Sequence, residues 1–369
     1  MSVNKGHTGQ DYEEAFQRLG NNYAVAREFG VNESTVRRAR NNLKVDPAIK
    51  AGMQAIGTDM VPVLGWAKSS VPDENGLTYS YMLKPDAAND DIIDRIRSAV
   101  EGIAPALPVD PPGLVDDDLM TLYPIADAHV GMMAWGIETG EDYDTKIAVD
   151  RLTNWVGKCV ASSPPSKTAI VLGVGDLLHA DDQTNMTPRS KHALDVDTRH
   201  FKTIDMTIAA IGSCIEAARV KHETVLVRIL PGNHDMHAYM AILFSLFERY
   251  REDARVIVQK EPGEFFAHEF GKVLIAAHHG DKAKAQNMVL HLADRYPEMW
   301  GRTRHRFLFT GHLHHHKSQD IGGVQWEQLR AVTSKDAYAT AHGYTARSEM
   351  QAVTYHRERG EVSRVKVAS

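Results

Sequence analysis

An α/β sandwich of two packed sheets flanked by helices, preceded by a small helical helix-turn-helix domain, is the fold class this sequence predicts. Three features predict it. From residue 119 onward, apolar strand-like runs alternate with stretches of helical period. A short polar turn follows each of five such runs. The first 46 residues carry apolar positions at helical spacing on either side of Gly30. A length of 369 residues suits about two to three domains, and 43% apolar residues are enough to bury a sizeable core.

We divide the chain into residues 1–46, 47–118 and 119–369. In the first region, helices over 22–29 and 33–40 flank Gly30-Val31-Asn32. Ala26 lets the helices approach, Gly30 takes the left-handed turn conformation, and Asn32 caps the second helix. Val25, Phe29, Val31, Val36 and Ala39 fill a small core, which turns Ser34, Arg37, Arg38 and Asn41 outward. A recognition helix would meet the major groove and phosphates there, with Arg40 and Lys44 adding backbone contacts, so DNA is the expected partner. The plainer alternative is a small bundle whose charged face is merely solvated.

In the connecting region, Val63, Trp66, Tyr79 and Tyr81 flank a turn at Asp73-Glu74-Asn75-Gly76 and read as a short β-hairpin. Ile92, Ile93, Ile96 and Val100 give a helix over 90–103, and the proline-rich stretch 104–113 reads as a linker. Beyond it, strands are expected near 121–126, 168–174, 224–230, 272–277 and 306–310, with helices near 146–161, 200–219 and 236–251. A closing hairpin turns at Arg359-Gly360.

The five turns are Asp127-Ala128-His129, Gly175-Asp176, Gly232-Asn233-His234-Asp235, His279-Gly280 and Gly311-His312-Leu313-His314. Each alone is ordinary turn chemistry. Together, at the ends of successive strands of an open sheet, they place carboxylate, carboxamide and imidazole donors where such folds build sites. That donor set, without thiolates, suits two divalent cations: Mn foremost, with Fe, Zn or Ni as alternatives. Two cations about 3.5–4 Å apart would serve to cut phosphate esters. Asp176 is the natural bridge, because a carboxylate has two oxygens.

Order, spacing and residue types from 122 to 316 resemble the calcineurin-like metallophosphoesterase superfamily. The resemblance implies that Asp127, His129, Asp176 and His314 hold one metal, and that Asp176, Asn233, His279 and His312 hold the other. Strand register alone does not choose between His278 and His279; the family's ligand precedes a glycine, which favours His279. His234 is then the general acid, Asp235 its orienting partner, and a hydroxide held between the cations the nucleophile. Gly175-Asp176-Leu177-Leu178-His179 and Gly232-Asn233-His234-Asp235 are similar to the motifs of the double-strand-break-repair exonuclease branch. Met236-His237 departs from that branch, which often has proline there.

The implied activity is therefore hydrolysis of DNA phosphodiesters by an exo- or endonuclease of repair or bacteriophage type. The alternative is a phosphoesterase for cyclic nucleotides, other small phosphoesters or phosphoprotein, with the N-terminal helices as an interaction module. In the loop after Asp176, His179, Arg189, Lys191 and Arg199 are candidate substrate contacts, and Trp326, Tyr338 and Tyr344 could stack bases. Ion pairing with nearby aspartates, and packing for the aromatics, are the equal alternatives.

A net charge of −6 gives the whole molecule no nucleic-acid signature, although the ligand carboxylates contribute to it. No apolar run reaches the ~18–20 residues of a bilayer span, and the polar start lacks a signal peptide, so a cytoplasmic protein without a membrane partner is expected, in host cytoplasm if phage-encoded. Cys159 and Cys214 show no pairing pattern, which suits a reducing compartment. Nothing in the sequence excludes a homo-oligomer.

Overall fold

The computed structural model describes residues 7–43, 65–68, 80–83 and 103–369. The chain forms two compact units, Met1–Arg95 and Ile96–Ser369. The first holds α1 (Gly9–Leu19), α2 (Asn22–Phe29) and α3 (Glu33–Leu43). Helix α1 adds a third member to the expected pair. Thr8 and Asp11 start it with a reciprocal cap, and its Tyr12 and Ala15 join Val25, Ala26 and Val36 in the core. Gly30 has φ 64°, and the Asn32 carbonyl accepts from Thr35 and Val36 at the start of α3.

Arg40 departs from the backbone contact expected of it. It is 8% exposed, with Nε on Glu13 at 2.7 Å, Nη1 on Asn22 at 2.6 Å and its guanidinium 3.3 Å from the Phe16 ring centroid. These partners hold it between the helices as an internal tie, so it does not face a phosphate. Ser34 and Arg37 are exposed, the latter 3.9 Å from Glu33. Arg38 and Asn41 lie on α3, but their side chains fall outside the described residues, as does Lys44. Strands β1 (Gly65–Lys68) and β2 (Ser80–Leu83) pair antiparallel, Trp66 opposite Met82. The turn expected at 73–76 and nearly all of the helix expected over 90–103 fall outside the described residues.

In the second unit the proline-rich stretch is fastened down. Ala106 donates to the Arg249 carbonyl at 2.7 Å. Arg251, Arg219 and Arg255 donate to the carbonyls of Ile103, Leu107 and Val109 at 3.1, 3.0 and 2.7 Å. An extended chain rich in proline leaves its carbonyls without ladder partners, and the arginines supply them.

The elements that follow are β3 (Asp116–Ile125), α4 (Gly136–Thr139), α5 (Thr145–Ser162), β4 (Ser166–Gly173), α6 (His200–Lys221), β5 (Thr224–Ile229), α7 (Tyr239–Tyr250) and β6 (Val256–Val258). After them come β7 (Phe266–Phe270), β8 (Val273–Ala277), α8 (Ala285–Arg295), α9 (Pro297–Arg302), β9 (His305–Thr310), β10 (Lys317–Ile321), β11 (Val324–Gln328), α10 (Ala337–Ala341), β12 (Glu349–His356) and β13 (Gly360–Ala368). One sheet runs β13-β12-β3-β4-β5-β6, with β3 to β6 parallel. The other runs β10-β11-β9-β8-β7, with β8, β9 and β11 parallel.

Strand alternation sorts the apolar residues into layers. Leu122, Ile170, Leu172 and Leu226 face the second sheet, meeting Ile275, Phe307 and Phe309. Tyr123, Val171 and Val227 point the other way, against Leu152 and Val156 of α5, Ile211 and Ile215 of α6 and Leu246 of α7. Met288 and Leu292 of α8 cover the far side of the second sheet. The result is the expected mixed α/β sandwich of two sheets flanked by helices. Cys159 and Cys214 are buried and unpaired, and no helix among the described residues is long and apolar enough to cross a membrane.

Candidate metal centre

Parallel strands β3, β4, β5, β8 and β9 all end at one edge of the sandwich, and the five polar turns follow them there. Backbone hydrogen bonds lock turns together: Asp127 N–H to the Gly175 carbonyl at 3.3 Å, His129 N–H to the Asp176 carbonyl at 3.0 Å, and Gly311 to His279 at 2.8 Å; Thr333 adds a bond to Asp127 at 3.1 Å. Among the described residues, seven other than glycine have positive φ, and five of them are Asp127, His129, Asp176, His312 and His314, at 43° to 73°. Such backbone is costly for L side chains and collects at functional sites. A Cβ on Gly232 would land on Asp176 Oδ1, and one on Gly311 would come 2.5 Å from Asp127 Oδ2. Only glycine leaves room there for the carboxylates.

Two donor clusters carry the expected ligands, Asp127, His129 and His314, and Asp176, His279 and His312, and a third joins His129 to His179 and His234; the ligating atoms of each lie within 4.8 Å of one another. That span is near the width of one cation's shell, about twice a 2.0–2.2 Å bond. Asp176 Oδ2 lies 3.1 Å from His279 Nε2 and 3.8 Å from His129 Nε2, so a single oxygen faces both clusters. Its other oxygen accepts the His234 N–H at 2.8 Å. Asn233 Oδ1 is 3.1 Å from His279 Nε2, and His314 Nε2 is 3.5 Å from Asp127 Oδ1. All seven residues expected as ligands converge, and the set fits two divalent cations. His279 Nδ1 is held by the Val174 carbonyl at 2.9 Å, the outer contact that aims a ligating imidazole.

His278 and His279 have different partners. His279 turns to Asp176, whereas His278 accepts the Gly280 N–H and has Nε2 3.7 Å from Glu264.

Burial would raise the Asp176 carboxyl, but the imidazoles of His279 and His234 pull it well below the usual carboxylate range. Burial likewise works against charge on His279, yet Asp176, by charge and hydrogen bond, lifts it to about 10. Without cations, His279 therefore carries a proton against Asp176. Burial, then the charge of His234, holds His129 well below its ordinary value, in the neutral form that ligates.

Asp235 departs from its expected role. It is fully buried, and its oxygens accept four backbone N–H groups, from Gly232, Asp176, Leu177 and Leu178 at 2.8 to 3.2 Å. It staples the loop after β5 to the loop after β4 and leaves nothing for His234. His234 Nδ1 instead meets the His179 carbonyl at 2.7 Å. Burial, then the Asp176 charge, pushes the Asp235 carboxyl up to about 7, against the amides of Gly232 and Leu178.

His179 is not an open substrate contact. It is buried, with Nδ1 3.2 Å from His129 Nδ1 and its ring stacked on His234 at 5.3 Å; burial, then His234, lowers it to about 3. Arg189, Lys191 and Arg199 are exposed on the loop between β4 and α6. Trp326 belongs to the core beneath α8, its indole N–H on Thr310 Oγ1 at 3.0 Å, whereas Tyr338 and Tyr344 are exposed. The capping of the stretch before α7 was missed from sequence: Asp181 accepts the His237 and Ala238 N–H groups at 2.8 Å and pairs with the His237 ring.

No family model matches the chain, and neither does any curated protein. Solved structures do match. An archaeal phosphodiesterase is 11% identical over 68% of this chain and 100% of its own, with a TM-score of 0.34. A dimetal phosphatase from Danio rerio is 10% identical over 69% and 99%, also at 0.34. Vacuolar protein sorting 29 from Cryptosporidium parvum is 11% identical over 69% and 100%, at 0.31. Overlaps this loose add nothing to the geometry above.

Proposed function

We propose that this chain is a two-metal phosphodiesterase that hydrolyses DNA in the cytoplasm, an exo- or endonuclease of repair or bacteriophage type, with its N-terminal helices on the substrate. Asp176 carries the reading, because one buried carboxylate oxygen faces two donor clusters that five separate loops assemble. Bound cations, with Mn our first choice, would supply a water acidified toward neutral pH and positive charge against the transferring phosphoryl group.

Asp127, His129, Asp176 and His314 would hold one ion, and Asp176, Asn233, His279 and His312 the other. His234 lies 4.7 Å, ring to ring, from His129 and edge-on to it. With Nδ1 fixed on the His179 carbonyl, its Nε2 is the atom left to hand a proton to the departing oxygen. Asp235 contributes by fixing the backbone that carries Asp176 and His234. DNA as substrate is supported by the motif resemblance and by the exposed Ser34, Arg37, Arg189, Lys191 and Arg199.

One observation favours a second reading. Arg40 is internal, which removes a cation from the expected DNA face and suits an interaction module beside a small-phosphoester enzyme. A screen of full-length protein, metal by substrate, decides. With Mn, degradation of linear or single-stranded DNA that is lost on chelation and in His234→Ala supports the first reading. Strong hydrolysis of cyclic nucleotides with none of DNA supports the second.

A further inference from the structure

The loop after β4 and the segment around α10 meet on the surface in a row of rings that the metal centre does not use. His192 and Tyr338 have centroids 6.4 Å apart, Tyr338 and His342 4.0 Å, and His342 and Tyr344 6.0 Å. The rings are tilted at 32° to 45° and all four residues are exposed, Tyr338 by 58% and Tyr344 by 57%. Single exposed aromatics need no explanation, but a continuous row drawn from two separate segments does.

The segment that carries Tyr338 is tied to the site at one end. Thr333 N–H bonds the carbonyl of Asp127, and three residues later the Asp336 side chain caps α10, on which Tyr338 sits. His192 belongs to a tight hairpin in which Thr187 N–H bonds the His192 carbonyl and Leu194 N–H bonds the Asn185 carbonyl. Arg189 and Lys191 are exposed on that same hairpin.

We propose that this row seats the unpaired bases of a single nucleic-acid strand whose backbone runs past Arg189 and Lys191 toward the metal centre. Every base offers a flat π face, so rings bind strands without reading sequence, and cations alongside meet the phosphates. An apolar peptide would use the rings but not the two cations, and an intact duplex keeps its base faces stacked inside. The inference rests on the proposed phosphodiesterase reading and narrows it to frayed ends or single strands.

The test is fluorescence anisotropy of the full-length chain in EDTA, with labelled oligothymidylate and an abasic strand of equal length. Tyr338→Ala should weaken oligothymidylate binding by about fivefold to 150-fold. Tyr338→Phe should restore it, Tyr344→Ala should repeat the loss, and affinity for the abasic strand should not change. Failure of the wild-type chain to bind oligothymidylate would overturn the inference, and so would an unaltered Tyr338→Ala affinity or equal losses on both strands. Hydrolysis of bis(p-nitrophenyl) phosphate with Mn keeps the two ideas apart. Cleavage without strand binding sinks only the base seat, and ring-dependent binding without any phosphodiester cleavage sinks only the enzyme reading.

Discussion

Asp235→Asn separates a structural from a catalytic role for that carboxylate. Oδ1 accepts from Gly232 at 2.8 Å and Asp176 at 3.2 Å, and Oδ2 from Leu177 at 2.8 Å and Leu178 at 3.2 Å. The substitution keeps the shape but turns one oxygen into an amino group, so that one pair of buried N–H groups faces a donor. Two orphaned donors cost about 2–6 kcal/mol at ~1–3 each, before any weakening of the remaining pair. Each kcal/mol lowers Tm by about 2–4 °C in domains approaching this size, which gives a fall of about 4–24 °C. Calorimetry of the metal-free full-length chain beside the wild type measures it. A wild-type Tm with a collapsed kcat would refute the staple and return Asp235 to orienting His234.

Three further outcomes are expected. His234→Ala should lower kcat about 10²–10⁴-fold on DNA but much less on a p-nitrophenyl diester, whose leaving group departs without a proton; equal losses would contradict the general-acid role. Gly232→Ala drives a methyl group into Asp176 Oδ1 and should weaken metal affinity in a titration, with stability down by about 1–3 kcal/mol; unchanged affinity would contradict the close fit. His279 is lifted from an ordinary value of 6.5 to about 10, so it stabilises the metal-free fold fully below pH 6.5 and progressively less as pH rises through 10. Cations should displace its proton at pH 7. Calorimetric titrations in buffers of different ionisation enthalpy should show proton release, and uptake with none would count against it.

The sandwich was legible because β3, β4 and β5 bury both faces and therefore read as continuous apolar runs ending in polar turns. The donors were legible because each sits within a few residues of such an end. What escaped lies in contacts between distant segments. Asp235 bonds amides 57 to 59 residues away, and no local pattern distinguishes that from a carboxylate beside a histidine. Arg40 sits at the edge of the α3 apolar face, and Glu13 and Phe16 of α1 with Asn22 of α2 turn it inward. Strand β10 is almost wholly exposed and polar, so its pairing with β11 leaves little trace in hydropathy. The proline-rich stretch reads as a linker because the arginines that fasten it come from α6, the C-cap of α7 and the loop before β6.

Metal stoichiometry tests the shared Asp176 oxygen most directly. Elemental analysis of the full-length chain equilibrated with limiting Mn should find two ions per wild-type chain. His312→Ala should cost one of them, and Asp176→Ala should weaken both. Two ions held at wild-type affinity by Asp176→Ala, or none held by the wild type, would contradict the bridging site.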